Sequence, residues 1–165
     1  MRAIALLLSL VLTLFASAGP VAAAMEEAVL AGGCFWCLEH DLESLPGVKE
    51  AISGYSGGHV ANPTYRQVSA EGTGHQESVL VRFDNSRLAY ATLLRAYWRN
   101  IDPFDGRGQF CDKGDSYRPV IFTADAAQAQ QDTEIEWRAR DAIGRFDPLH
   151  ALADVDISAP RRTDR

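Results

Sequence analysis

A chain of 165 residues, 47% hydrophobic and 23% charged, carries enough apolar material for one globular domain with a real core. Its formal net charge of -6 and the lack of a basic stripe exclude the electrostatic footprint of a nucleic-acid binder. No internal repeat, low-complexity block or interdomain linker divides it.

Residues 1–24 read as a separate segment. Arg2 precedes the apolar run Ile4 to Phe15, and the small residues from Ser17 to Ala24 offer an Ala-x-Ala cleavage context. The layout predicts a secretory signal peptide cut after Ala24, with a mature domain over 25–165 in the periplasm or outside the cell. A retained membrane anchor is the weaker reading, because the run is short of the roughly 20 apolar residues a span requires. Removing Arg2, the only charge before Met25, takes the net charge from -6 to -7. Cys34, Cys37 and Cys111 are then an odd set of three in an exported domain, which points to redox work rather than a disulfide framework.

The mature chain is organised around Ala31-Gly32-Gly33-Cys34-Phe35-Trp36-Cys37-Leu38-Glu39. A short apolar run (Ala28, Val29, Leu30) leads into two glycines, and Leu38, Leu42 and Leu45 then share a helical face. Strand, tight turn and helix follow, with Cys34 at the helix start, where unpaired N–H groups favour an anion. A lowered thiol pKa is therefore expected. Pro46-Gly47 ends the helix, and Val48 to Ser53 alternates as a half-exposed strand. The glycine-rich stretch Gly54 to Tyr65 reads as a loop carrying Tyr55 and Tyr65, hydroxyls of the kind that line sites.

After Gly72-Thr73-Gly74, strand alternation puts His75, Glu77, Val79, Val81 and Phe83 on one face. Glu77 thus points toward the core, where burial raises a carboxyl pKa and keeps the group able to donate a proton. Pairing with a buried Arg, or a solvated strand end, is the alternative for Glu77. Asp84-Asn85-Ser86 is expected to cap a helix running to about Asn100, with Tyr90, Leu93, Leu94 and Tyr97 in the core. Phe104 to Arg118 reads as an ordered loop holding Cys111, Asp112 and Tyr117. Val120 to Phe122 is a short strand, and Thr123 is expected to cap a helix through about Arg140. The tail from Phe146 is ambiguous, and Pro160 to Arg165 reads as disordered.

Cys34, Cys37 and His40 have ligand-like spacing, with His59, His75 and Cys111 elsewhere, but only one such pair exists where a structural zinc site shows two. A thioredoxin-like Cys-x-x-Cys is the other alternative, less consistent with the long polar-aromatic loop and the inward Glu77.

Gly33-Cys34-Phe35-Trp36, Gly54-Tyr55-Ser56-Gly57-Gly58, Asn62-Pro63-Thr64-Tyr65, Gly74-His75-Gln76-Glu77 and Gly114-Asp115-Ser116-Tyr117-Arg118 together resemble peptide-methionine (S)-sulfoxide reductases of the A type. The match runs in order from about Ala28 to Phe122. The resemblance implies an α+β fold, a two-layer α/β sandwich around a ferredoxin-like plait with long ordered loops, acting as a monomer. It implies Cys34 as nucleophile and Glu77 as proton donor. Tyr65 and Tyr117 would bond the sulfoxide oxygen, supported by Asp112, and Phe35 and Trp36 would enclose the S-methyl group. No metal or organic cofactor is implied, and a thioredoxin-like or other dithiol would be the reductant.

Two departures accompany the match. Many relatives carry resolving cysteines near the C terminus, whereas no cysteine follows Cys111 here, so Cys37, Cys111 or an external thiol must resolve a Cys34 sulfenic acid. Cys37 is favoured, one helical turn from Cys34; Cys111 would face away from the pocket if its stretch is extended. After Thr133-Glu134-Ile135 the family pattern is lost, so the C-terminal part, from about 141, is expected to be shortened or altered. A general thiol–disulfide oxidoreductase using Cys34 and Cys37 is the alternative enzyme, and a small exported binding domain is the non-enzymatic one.

Overall fold

The structure is a computed structural model that describes residues 24–132 and the two-residue strand Val155–Asp156. Strands β1 (Met25–Ala31), β2 (Val48–Ser56), β3 (Gln76–Asp84), β6 (Val120–Phe122) and β7 (Val155–Asp156) form one sheet in the order β6-β1-β3-β2-β7. Every neighbouring pair is antiparallel. β1 and β2 are both antiparallel to β3, hence parallel to each other, and helix α1 (Phe35–Glu43) joins them. β3 and β6 flank β1 in the same way and are joined through α3 (Tyr90–Arg99). Two split βαβ units interleaved in this manner are the ferredoxin-like plait, and the fold is α+β.

The helices cover one face of the sheet. Val79, Val81, Phe83, Ala28, Leu30 and Tyr55 pack there against Phe35, Leu38 and Leu42 of α1 and Tyr90, Leu93, Leu94 and Tyr97 of α3. Val29, Ala31, Leu80, Val120 and Phe122 form a smaller cluster on the other face. Both faces of β3 are therefore largely buried, and its alternation sorts residues between two apolar layers. α1 is tied to the sheet by Glu39, whose Oε2 accepts the Ser53 N–H at 2.9 Å and the Ser53 hydroxyl.

Several boundaries differ from the sequence expectation. β2 continues through Gly54 to Ser56, so Tyr55 belongs to a strand rather than to the loop. Asp84 does not cap a helix. Its Oδ1 accepts the Ser86 N–H at 3.1 Å in a turn that is anchored by Asp84 N–H to the Gly47 carbonyl, and α3 begins only at Tyr90. The next helical segment, 126–132, is capped by Asp125, whose Oδ1 takes the Gln128 N–H at 2.8 Å, and not by Thr123. The expectations for the signal peptide, for the helix beyond 132 and for the tail from Phe146 lie outside the described residues, apart from β7, which adds a strand to the edge of β2. No helix among the described residues is long and apolar enough to cross a membrane.

Candidate active site

The turn from β1 into α1 needs Gly33. Its φ is +78°, and a Cβ there would stand 2.9 Å from the Gln109 Cβ. Gly33 N–H donates to the Tyr117 carbonyl at 3.0 Å, which pins the turn to the 3-10 segment Asp115–Tyr117. Cys34 follows as the N-cap of α1, half-buried, with extended backbone angles and no side-chain cap bond.

The thiol is not acidified, contrary to the sequence expectation. Burial pushes the Cys34 thiol above its ordinary value. Backbone N–H groups of Cys37 and Trp36 oppose the shift, and the charges of Cys37 and Glu77 add to it. A helix of 9 residues supplies the expected N–H groups, but desolvation outweighs them.

Glu77 lies on the helix-covered face of β3 and is 1% exposed. Its Oε2 accepts the N–H of Phe35, the residue after Cys34, at 3.1 Å. Burial drives the carboxyl up to about 7, against the lowering by the Phe35 N–H and with a further rise from the Asp112 charge. No Arg pairs with it among the described residues. Near neutrality the carboxyl is poised between acid and base beside the thiol.

Three further segments bring the remaining groups. Thr64-x-x-Gln67 forms a capping box, with Gln67 N–H to Thr64 Oγ1 at 3.3 Å and Thr64 N–H to Gln67 Oε1 at 2.8 Å. It starts α2 (Tyr65–Ser69) and sets Tyr65 as its first residue. The Tyr65 ring lies 5.4 Å from Trp36 and 6.2 Å from Phe35, both stacked, and Phe35 and Trp36 are 4.8 Å apart, centroid to centroid. These rings make an apolar wall at the helix start. Tyr117 is bonded through its hydroxyl to Tyr65. Burial raises its hydroxyl to about 12, with the Glu77 charge the next cause.

Asp112 opens β5 (Asp112–Lys113), which pairs with β4 (Gly108–Gln109) in a hairpin. It is half-buried, and its charge bears on both Glu77 and Tyr117. The hairpin is held by Gln109, a fully buried residue that no local pattern singles out. Its Oε1 accepts the Asp102 N–H at 2.6 Å, and its Nε2 donates to the carbonyls of Asp102 at 2.9 Å and Gly108 at 2.7 Å.

The other cysteines are free thiols at the surface. Cys37 is on the first turn of α1, its N–H bonded to the Cys34 carbonyl at 3.0 Å. Cys111 is not in an extended stretch. With Phe110, whose φ is +47°, it forms the exposed tip of the β4–β5 hairpin. His75, buried beside Tyr55, uses both ring nitrogens on backbone. Nδ1 accepts the Gly58 N–H at 3.2 Å, which fixes the tautomer, and Nε2–H donates to the Val60 carbonyl at 2.9 Å. Among the described residues no group of three or more His, Cys, Asp or Glu side chains is arranged to hold a metal ion.

Tyr55, expected in the site loop but given no role by the family resemblance, is fully buried in this site, its ring 5.7 Å from Phe35. Carrying the β2 alternation two residues past Ser53 would have found it, on the face of Ala51 and Ser53 and opposite Glu77.

A thiol, a buried carboxyl that titrates near neutrality, paired hydroxyls and an aromatic wall thus surround one helix start. The family model for Peptide methionine sulfoxide reductase matches residues 26–148. Peptide methionine sulfoxide reductase MsrA 2 of Caulobacter vibrioides is 50% identical over 128 residues, 76% of this chain, and the match spans 65% of that protein's length. The solved methionine sulfoxide reductase A of Corynebacterium diphtheriae superposes with a TM-score of 0.73 at 29% identity, covering 86% of this chain and 72% of that one. Mxr1 of Saccharomyces cerevisiae shares the fold, in its reduced form with a TM-score of 0.76 at 21% identity over 82% of this chain and 80% of that one. Mxr1 in complex with Trx2 superposes with a TM-score of 0.57 at 15% identity, over 86% and 84%.

Proposed function

This chain belongs to the peptide methionine sulfoxide reductase family, A type, and from that premise we propose that it reduces methionine-(S)-sulfoxide, free or in proteins, to methionine. The observation that carries the reading is the buried Glu77 carboxyl held on the N–H of the residue next to Cys34. A polarised S=O bond yields to a sulfur nucleophile only if its oxygen is protonated as charge develops there. Cys34 and Glu77 together hold the one proton that the step needs. The Cys34 sulfur attacks the sulfoxide sulfur, and Glu77 protonates the oxygen. Tyr65 and Tyr117 stabilise that oxygen, and Phe35, Trp36 and the Tyr65 ring receive the S-methyl group. The substrate S–O bond breaks as the hydroxyl passes to the Cys34 sulfur and the S–S bond to substrate breaks, so methionine leaves reduced by two electrons and Cys34, oxidised by two, becomes the sulfenic acid.

A second thiol then displaces water and closes a disulfide. Cys37, one turn along α1, is the resolver in this reading, with Cys111 as the competitor. Mxr1 has been solved with Trx2; by analogy a thioredoxin-like or other dithiol restores the two cysteines here. The signal-peptide pattern of residues 1–24 supports the periplasm or the exterior as the place of this work, as repair of oxidised exported proteins. N-terminal sequencing of the protein recovered from its native compartment tests that assignment, and a retained Met1 overturns it.

The activity is tested by incubating the mature chain with dithiothreitol and each methionine sulfoxide epimer and following methionine release. Reduction of the S epimer alone is expected. Disulfide exchange on model peptides without methionine release would instead establish a general thiol–disulfide oxidoreductase.

A further inference from the structure

Two buried polar atoms in the site have no hydrogen-bond partner among the described residues, and they belong to cross-strand neighbours. Tyr55 on β2 and Glu77 on β3 are Cα partners in the antiparallel register, so their side chains rise from the same face of the sheet. Tyr55 is 0% exposed and Glu77 1%. The Tyr55 hydroxyl and Glu77 Oε1 are both unpaired, while Glu77 Oε2 is occupied by the Phe35 N–H. The Tyr55 ring is held between Phe35 at 5.7 Å and His75 at 6.4 Å, which leaves its hydroxyl little freedom to seek another partner.

Once Glu77 has delivered its proton to a substrate oxygen, the carboxylate must be stabilised in a site with little water. The Phe35 N–H serves Oε2 only. The charge that bears on the carboxyl is that of Asp112 on β5, and the carboxylate's own charge bears on Cys34 before α1, Tyr117 in the 3-10 segment and Tyr55 on β2. Asp112 opposes a second negative charge, and the Tyr117 hydroxyl is bonded to Tyr65. Of the two hydroxyls whose titration the carboxyl bears on, Tyr55 and Tyr117, that of Tyr55 is the unpaired one. We propose that Tyr55 is a positioning residue for Glu77, its hydroxyl donating to Oε1, directly or through one water, as the carboxyl gives up its proton. The O–H bond of the carboxyl breaks, the substrate oxygen gains that proton, and the phenol keeps its own. This inference rests on the reductase reading for its purpose but not for its test.

The test titrates the Glu77 carboxyl by infrared spectroscopy, with the Glu77→Gln spectrum subtracted, in the full protein and in Tyr55→Phe, which keeps the ring packing. Losing a donor to the carboxylate should move the titration up by about one pH unit, and the rising limb of the single-turnover rate should move with it. Should the Phe variant not fold, 3-fluorotyrosine placed at position 55 keeps the size, strengthens the donor and should move the titration down. A titration unmoved by the folded substitution overturns the proposal. The titration needs no turnover, so a protein inactive on both epimers would sink the proposed function and leave the role of Tyr55 to be decided separately.

Discussion

The Tyr117 carbonyl accepts the Gly33 N–H at 3.0 Å, so one hydrogen bond ties a tyrosine of the site to the turn that presents the thiol. Gly33→Ala would force an L residue to φ +78° and push its Cβ against Gln109. A left-handed non-glycine residue costs about 1–2 kcal/mol before any clash is counted. A lowered urea midpoint and a slower single turnover are expected together. An alanine variant with unchanged values of both would show that the turn is not under this constraint.

Cys34→Ser should abolish methionine release while leaving the fold intact, since a hydroxyl is barely ionised near pH 7. Cys37 and Cys111 stay in place in that variant. Substantial residual reduction of the S epimer would remove Cys34 from its role.

Glu77→Gln separates chemistry from stability. The amide keeps shape but cannot protonate the oxygen, so the sulfoxide step should slow by about 10²-fold or more. The carboxyl's folded value of about 7 lies above its ordinary 4.5, so the folded state binds the extra proton between those limits. The stabilisation is full below pH 4.5 and is lost as pH rises through about 7. Chemical denaturation should therefore find the Gln variant more stable than the parent at pH 8, by up to about 3 kcal/mol, with the gap closing toward pH 4.5. A gap that widens on acidification would contradict the assignment of that raised value.

The pH–rate profile follows from the same pair. The reactive form carries one proton between the Cys34 thiol and Glu77, and the two groups titrate as a unit. The kcat/KM for the S epimer should rise through about pH 7, as the fully protonated pair loses its first proton. It should fall only in the alkaline range, because burial holds the thiol above its ordinary value. An acid limb well below pH 6 would instead mean a thiol acidified in the free protein.

The resolving thiol can be identified by mass mapping after one equivalent of substrate without reductant. Cys37 is one turn from Cys34 along α1, whereas Cys111 is on the hairpin tip, so a Cys34–Cys37 bond is expected. A Cys34–Cys111 bond would require the β4–β5 hairpin to supply the second sulfur.

What the sequence made legible is what local periodicity controls. Gly33 before Cys34 reads as a helix-start turn because two glycines separate an apolar strand from a 3.6-residue pattern. Glu77 reads as inward because Val79, Val81 and Phe83 alternate behind it. The thiol's raised pKa is not legible there because it depends on how deeply distant segments bury Cys34, and helix position alone says nothing of that. Gln109 escaped notice for the same reason: its partner Asp102 and its neighbour Gly33 meet it only after folding. The turn at Asp84 was mistaken for a helix cap because both use the same side-chain bond two residues on.

The interleaved strand order also governs when the chain can fold. β1 pairs Met25 with Asp84 on one side and Val29 with Phe122 on the other. Only β2 and β3, among the four strands of the plait, are neighbours in both sequence and space. The β6 edge must wait for Phe122, and the sheet's centre, β1 against β3, cannot close until Asp84 is available; pairings so distant in sequence slow folding for a chain of this size. Until that closure Cys34 is an ordinary exposed thiol, with neither Glu77 nor the aromatic wall beside it. The reactive centre is assembled when a strand from far beyond Cys34 pairs with the one that precedes it.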